Sequence, residues 1–460
     1  MKRQDVLDLL YNRYILPTKK ARELHIGVEL EMPIINLAKE AVDFSIVHDL
    51  TKRFMIRFDF SEAVLDEKGD IYSVVNVING DILSYDCSYN NLELSFGKER
   101  NLNVLYDRFT EYYSFIQEVL QESNYMTSGI GINPYREFNQ HIPIPTGRYR
   151  MLFNHLSSYD RYRIPMYFHP HTDYGMFSSA SQVQLDVQYE HLVSTIKAFS
   201  LLEPLKAVLF SNSILLGEDE DLLCSRDMLW ENSSQGINPH NVGMFEKIPE
   251  SSEELLEYIA SSSIYCTERN GKYINFEPIN IVEYFKQDII VGEYNDGMKK
   301  HVVEFEPLIE DLAYLRTFKF EDLTFRGTIE FRSVCCQPMS DAFSVAAFHV
   351  GLIHKTKEII EILVKDHVIY NHGYTAHELR KLFNRRAYPA FVEPESLRGL
   401  LLEILELAYD GLKERHLGEE IFLKPLFERA ETLSNPSRHL LAELEADTDI
   451  EDVIREYAAL

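Results

Sequence analysis

The sequence predicts an α+β protein, and three observations lead there. Segments that alternate at period 2 recur through the first three quarters of the chain, interleaved with stretches at helical spacing. From about residue 341 to 460 the pattern is almost wholly helical. The regular strand–helix rhythm of a doubly wound sheet is missing, and so are a G-x-x-x-x-G-K-[ST] loop and a complete G-x-G-x-x-G turn. Gly129 and Gly131 in GIGINPY lack the third glycine and a following helix. The expected organisation is a mainly antiparallel sheet domain with flanking helices over 1–340, and a helical region over 341–460 packed on it.

The elements follow in order. Residues 1–16 carry apolar positions at helical spacing and stop at Pro17. HIGVELEMPII (25–35) alternates charged and apolar residues, which is a strand with one polar face. MIRFDFSEAVLD and IYSVVNVI, joined at Lys68-Gly69-Asp70, read as a hairpin. SYDCSYNNLELSFG (84–97) ends in another alternating strand. Leu102, Leu105, Phe109, Tyr113, Ile116 and Leu120 share one helical face over 101–122. A loop rich in Pro and Gly (129–147) precedes a helix from about 148, and SSASQVQLDVQY (178–189) is strand-like again. HLVSTIKAFSLLEPLKAVLFSNS predicts a long buried helix kinked near Pro204, and SSEELLEYIASSS a shorter one with a serine cap. FRGTIEFRSV (325–334) is the last clear strand. Pro389 and Pro394 then separate two helical groups.

Composition narrows the function classes. The 460 residues are 45% hydrophobic and 26% charged, which excludes wholesale disorder and is enough to bury a core without disulfides. With 46 Lys and Arg against 73 Asp and Glu, the net charge is −27. Such a surface repels phosphate backbones and anionic lipid, so neither nucleic acid nor a membrane surface is expected as a partner. Five cysteines without a C-x-x-C pair point to a reducing compartment. MKRQDVLDLLYNRYILPTKK lacks the apolar core and cleavage site of a signal peptide, and no apolar run reaches the roughly 20 residues of a membrane span. The expectation is a cytoplasmic protein.

The chemistry lies in acids that share strand faces. Glu29 and Glu31 leave one face of their strand, while Val28, Leu30 and Met32 leave the other. Paired carboxylates repel unless a cation or a base stands between them, and a hard cation such as magnesium takes oxygen ligands. An exposed strand face with ordinary charges would carry the same spacing. Glu93 in NLELSF and Glu330 in TIEFRS are further acids in apolar strands, with Asp86 seven residues before Glu93. Arg332 shares the face of Glu330, either as a plain ion pair or as a phosphate clamp beside a cation ligand.

With these residues in hand, the chain resembles the glutamate–cysteine ligase family of carboxylate–amine ligases. IGVELEMPI resembles its opening strand with paired glutamates, and YDCSYNNLELS its second acidic strand. GRYRML, SQVQLDV, EPLKAVLFSNS with SRDMLW, and RGTIEFRSVCCQP resemble later family elements in family order, and the helical tail with FHVGL and RHLGEEIFLKPL is similar too. The resemblance covers roughly 21–440. It implies a glutamine-synthetase-like fold, a curved antiparallel sheet whose acidic face is the active site.

It also implies a reaction: ATP phosphorylates the γ-carboxylate of L-glutamate, and the amino group of L-cysteine then attacks the acyl phosphate, the first step of glutathione synthesis. The implied cofactors are ATP and two or three Mg2+ ions. By position, Glu29, Glu31, Asp86, Glu93, Glu330 and Gln184 match metal ligands, and Arg332 with Glu330 the catalytic pair. Arg148 and Arg226 match arginines that hold the glutamate carboxylate.

The chain departs from the pattern in places. Gln184 stands where one bacterial branch has a metal-binding histidine. Ser225 precedes Arg226 instead of following it, and ENSSQGINPHNVG lacks the acidic, arginine-bearing pattern usual after the tryptophan. RSVCCQP replaces Arg-Ser-Val-Asp, and Cys335 and Cys336 read as small buried residues at a strand end. The departure around 225–243 opens a different amine acceptor as an alternative, and a non-catalytic ligand-binding relative is another. His169, His171 and Asp173 could form a transition-metal site or merely line a loop, whereas His349 and His354 do not share a helical face.

Overall fold

The computed structural model describes residues 1–158 and 167–460. The strands are β1 (Ile26–Asn36), β2 (Glu62–Leu65), β3 (Ile71–Val75), β4 (Ile82–Tyr85), β5 (Asn91–Glu99), β6 (Tyr125–Thr127), β7 (Ser181–Asp186), β8 (Val242–Gly243), β9 (Ser263–Arg269), β10 (Lys272–Asn280), β11 (Ile290–Asn295), β12 (Lys300–Phe305), β13 (Phe318–Lys319), β14 (Glu321–Leu323) and β15 (Thr328–Phe331). Nine of them form one antiparallel sheet in the order β14-β15-β7-β1-β5-β4-β3-β2, with β6 on the far end of β1. This bears out the α+β, antiparallel class.

β1 is the central strand, paired with β5 on one side and β7 on the other. Its alternation does what the sequence asks: Val28, Leu30 and Met32 are buried in the main core behind the sheet, and Glu29 and Glu31 face the front. Pro33 is tolerated because its missing N–H would point, like the Glu31 N–H that reaches the Ala180 carbonyl at 2.9 Å, to the side where β7 has ended.

The helices before residue 341 are α1 (Arg3–Leu10), α2 (Phe44–Arg57), α3 (Leu102–Gln121), α4 (Gly147–Leu156), α5 (Tyr189–Phe210), α6 (Ser225–Glu231), α7 (Ser252–Ala260) and α8 (Ile281–Tyr284). After it come α9 (Ala342–Leu352), α10 (Thr356–Val364), α11 (Ala376–Phe383), α12 (Pro394–Lys413), α13 (Lys424–Thr432), α14 (Pro436–Glu445) and α15 (Ile450–Ala458). α3 starts where Asn101 accepts from the Asn103 N–H, and Ser251 caps α7 as expected. α5 and α9 are apolar nearly all round and are buried, α9 completely. α9 and α12 cross at Gly351 and Gly411, where a Cβ on Gly411 would stand 1.8 Å from the Gly351 carbonyl oxygen.

Two expectations need correction. MIRFDFS is not the first half of a hairpin strand: α2, capped by Asp43 and buried along Val47, Leu50 and Phe54, runs through Arg57, so the hairpin begins only at Glu62. Residues 84–97 end in a strand as expected, β5, and Cys87 in the turn before it takes a positive φ of 58°. A separate four-stranded antiparallel sheet, β9–β12, fills 263–305, where no strand was expected. Its outer strand β12 is exposed and alternates weakly, so it leaves little hydrophobic signal.

Candidate active site

The sheet register builds an acidic wall. Glu31 on β1 faces Glu93 on β5, and Glu29 lies two residues along β1 opposite Gln182 of β7. Gln184 of β7 pairs with Glu330 of β15, which pairs in turn with Asp322 of β14. The β4–β5 turn delivers Asp86 to the same cavity, of about 470 Å³. All of these side chains line it, together with Arg148, Arg226 and Arg332. The structure thus brings every predicted site residue to one cavity.

Each acid is held by identifiable partners. Glu31 Oε2 accepts from the Ala180 N–H at 2.7 Å, and its Oε1 from Gln182 Nε2 at 2.9 Å. Glu93 Oε1 accepts from the Ser95 hydroxyl at 2.7 Å and more weakly from Ser84. Arg332 Nη1 donates to Glu330 Oε2 at 2.8 Å, and its guanidinium lies over the Phe318 ring. Asp322 accepts from the Thr317 hydroxyl at 2.6 Å.

Burial at the cavity floor and mutual repulsion push Glu29, Glu31, Asp86, Glu93 and Asp322 up. Desolvation, with Asp86 and Glu93 nearby, moves Glu31 up to about 8. Desolvation and the charges of Glu330 and Glu93 hold Glu29 well above the ordinary range. Burial raises Glu93, with Asp86 adding to it, and raises Asp86 against the pull of Arg148. Asp322 is desolvated to about 6 despite Arg332.

The residues fit hard divalent cations by chemistry: five carboxylates, all oxygen donors, at a site short of positive charge. Among the described residues no three acidic, histidine or cysteine side chains close on one point. The acids are instead spread over the face and bridged by amides and arginine. Gln184 Nε2 donates to Glu29 Oε1 at 3.3 Å and to Glu330 Oε1 at 3.2 Å, so its amide bridges two of the acids. Between two carboxylates an N–H is the favourable group to present.

The arginines differ in setting. Arg226 is buried; its Nη1 donates to the Val334 carbonyl at 3.2 Å, while its Nε has no hydrogen-bond partner. Arg148, in the first turn of α4, is exposed at the cavity and lies over the Tyr149 ring. Both line the cavity.

Gln182 and Asp322 were not anticipated. Gln182 shares the face of Gln184 by the same period-2 rule and could have been read from SQVQLDV. Asp322 sits on a three-residue strand that no pattern announces. The histidine motif does not converge: His169 bonds the Leu229 carbonyl, His171 bonds Glu218 and Asp173 bonds His141. All five cysteines are free and buried, Cys335 and Cys336 among them.

Comparisons with known proteins place the chain in a family. A glutamate–cysteine ligase of Medicago truncatula, described as chloroplastic, is 23% identical over 336 residues, covering 71% of this chain and 60% of its own. Its counterpart in Arabidopsis thaliana is 24% identical over 340 residues, covering 71% and 59%. The chain therefore spans about 60% of the length of the curated relatives it matches. A solved glutamate–cysteine ligase from Francisella tularensis, in complex with AMP, aligns with 95% of this chain and 89% of its own at 12% identity and a TM-score of 0.48. That likeness assigns nothing to this site. The family model for glutamate-cysteine ligase family 2 (GCS2) matches residues 26–457, nearly the whole chain, and this protein belongs to that family.

Proposed function

We propose that this chain is an ATP-dependent, ADP-forming ligase that joins the γ-carboxylate of L-glutamate to the amino group of L-cysteine through γ-glutamyl phosphate. This is the first step of glutathione synthesis, carried out in the cytoplasm, with residues 1–340 carrying the chemistry. Among the described residues no helix is long and apolar enough to cross a membrane. The observation that supports the reading best is the meeting of Glu29, Glu31, Asp86, Glu93 and Glu330 with three arginines in one cavity.

The roles follow from the charges. A γ-carboxylate oxygen attacks the γ-phosphorus of ATP and ADP leaves; the amine then attacks the acyl carbon and phosphate leaves. Both partners of the first step are anions, so charge must be neutralised where they meet. Arg332, held by Glu330, offers its fork to the transferred phosphoryl group. Arg226 and Arg148 hold the substrate carboxylate. The five carboxylates would hold two or three Mg2+, which when bound neutralise the phosphate charge.

A second reading keeps the phosphoryl step and changes the amine. Trp230 and Gln235, from the stretch that departs from the family pattern, line the cavity. ADP release with ATP, Mg2+ and L-glutamate, with and without L-cysteine, separates the two. Strong cysteine dependence with γ-glutamylcysteine seen by mass supports the first, and glutamate-dependent release indifferent to cysteine supports the second. No release under either condition overturns both.

A further inference from the structure

We infer that Arg380, carried by α11 in the C-terminal helical region, is a positioning residue that sets Arg226 in the cavity wall. The inference rests on the reading of Arg226 as a substrate-carboxylate ligand.

Arg380 is only 3% exposed and ties four segments together. Its Nε donates to Asp227 Oδ2 at 2.7 Å and its Nη2 to Asp227 Oδ1 at 3.0 Å, a bidentate grip on the residue after Arg226. Its Nη1 donates to Glu203 Oε2 at 2.6 Å and to the Glu203 carbonyl at 3.0 Å, anchoring the fork on α5. Nη2 also reaches the Ser333 carbonyl, just beyond β15. Asn384, at the end of α11, adds a bond to Asp227 Oδ2 at 2.6 Å.

α6 needs such a grip. It has seven residues, too few for internal hydrogen bonds alone to define its pose. Besides the Val334 contact, Arg226 is held by a side-chain hydrogen bond to Cys335 and by its own N–H, 3.3 Å from the Ser213 hydroxyl, none of them a carboxylate. The direction of its guanidinium therefore depends on how α6 is docked, and Asp227 is the charged handle by which it is docked.

Charge gives Arg380 a second effect. Asp227 lines the same cavity as Arg226. Paired with Arg380 it is neutralised; left alone it would compete for Arg226 and repel an anionic substrate. Buried ion pairs seldom add net stability over apolar packing, but their geometry is specific, and only arginine supplies a planar fork. Helices far from the acids in sequence thereby complete the wall that holds the substrate.

The test uses the full chain and the ADP-release assay with L-glutamate varied. Arg380→Lys keeps the charge and loses the fork; the glutamate KM is expected to rise about tenfold with kcat little changed, because Arg226 acts in binding. Adding Asp227→Asn should raise the KM little further, because both changes break the same grip and their effects do not add. A purely structural role predicts instead a lower melting temperature and kcat at constant KM, with the double variant worse than either single; that result overturns the inference. Should Arg380→Lys not fold, as judged by near-UV dichroism, Asp227→Asn alone carries the test: it weakens the same bond from the other side, and an unmoved KM overturns the inference. Wild-type turnover with unmoved KM values sinks only this inference, whereas no glutamate-dependent turnover in the wild type sinks the proposed function and this inference with it.

Discussion

Glu31 of β1 and Glu93 of β5 stand directly opposite one another in an antiparallel register, two carboxylates on the same sheet face. Side chains so placed lie about 5 Å apart at Cβ, and like charges there destabilise the pair. The fold accepts this by giving Glu31 two donors, Ala180 and Gln182, and Glu93 two hydroxyls. What remains unbalanced is charge.

That imbalance makes stability depend on pH. Glu31 titrates at about 8 in the folded chain, against roughly 4.3 for an unperturbed glutamate. Between these values the folded state holds a proton that the unfolded state has lost, so stability falls as pH rises through that window. Without divalent cations the melting temperature is expected to drop steadily from about pH 5 to 8. Magnesium should reverse most of the drop at the upper end, because it replaces the lost protons as counter-charge. Calorimetric melts in EDTA and in Mg2+ test this; a flat profile in EDTA would count against the carboxyl repulsion.

Glu330 joins two roles, pairing with Arg332 on one oxygen and accepting from Gln184 on the other. Glu330→Gln keeps the shape and removes one negative charge. ADP formation is expected to fall about a hundredfold or more, on the scale of several kcal/mol of charge stabilisation. The melting temperature should fall modestly, since Arg332 loses its nearest charged partner while Asp322 and Glu29 stay beside it. Turnover like the wild type would sink the cation-ligand role.

Arg332→Lys probes the fork. Lysine keeps the charge but cannot grip a phosphoryl group through two parallel N–H donors. The maximal rate should fall about tenfold to a hundredfold, with the glutamate KM changed much less. Steady-state kinetics decide it, and an effect confined to the glutamate KM would move Arg332 out of the phosphate role.

How much of this was legible in the chain varies with the physics of each residue. Glu29, Glu31, Glu93, Glu330 and Arg332 were readable because period-2 alternation converts spacing directly into a shared face. Gln182 obeys the same rule but carries no charge, so nothing singled it out until its amide was seen on Glu31. Asp86 needed the turn at Cys87 to reach the site, and a turn with a positive φ on a cysteine has no sequence signature. Arg380 lies more than 150 residues from the Asp227 it grips, a pairing that only tertiary packing creates. Of the second sheet, β9 stayed hidden because residues 263–267 are buried at every position and do not alternate, and β12 because it is mostly exposed.

Lys319 is a last case of charge used for shape. It is 3% exposed on β13, and burial pushes its ammonium down to about 7. Its Nζ donates to the carbonyls of Val242 at 2.8 Å and Pro239 at 3.2 Å, to that of Met244, and to the Tyr258 hydroxyl at 3.1 Å. These bonds fasten the 239–244 stretch to β13, whose Phe318 forms part of the cavity wall. Lys319→Met fills nearly the same volume but leaves the buried carbonyls of Val242 and Met244, and the partly buried one of Pro239, without their donor. Each such loss costs about 1–3 kcal/mol, and partial relaxation brings the expected total to about 3 kcal/mol. Urea unfolding should show the midpoint falling with an unchanged slope. A loss below about 1 kcal/mol would mean that water replaces the ammonium and that the clasp is not what holds this wall.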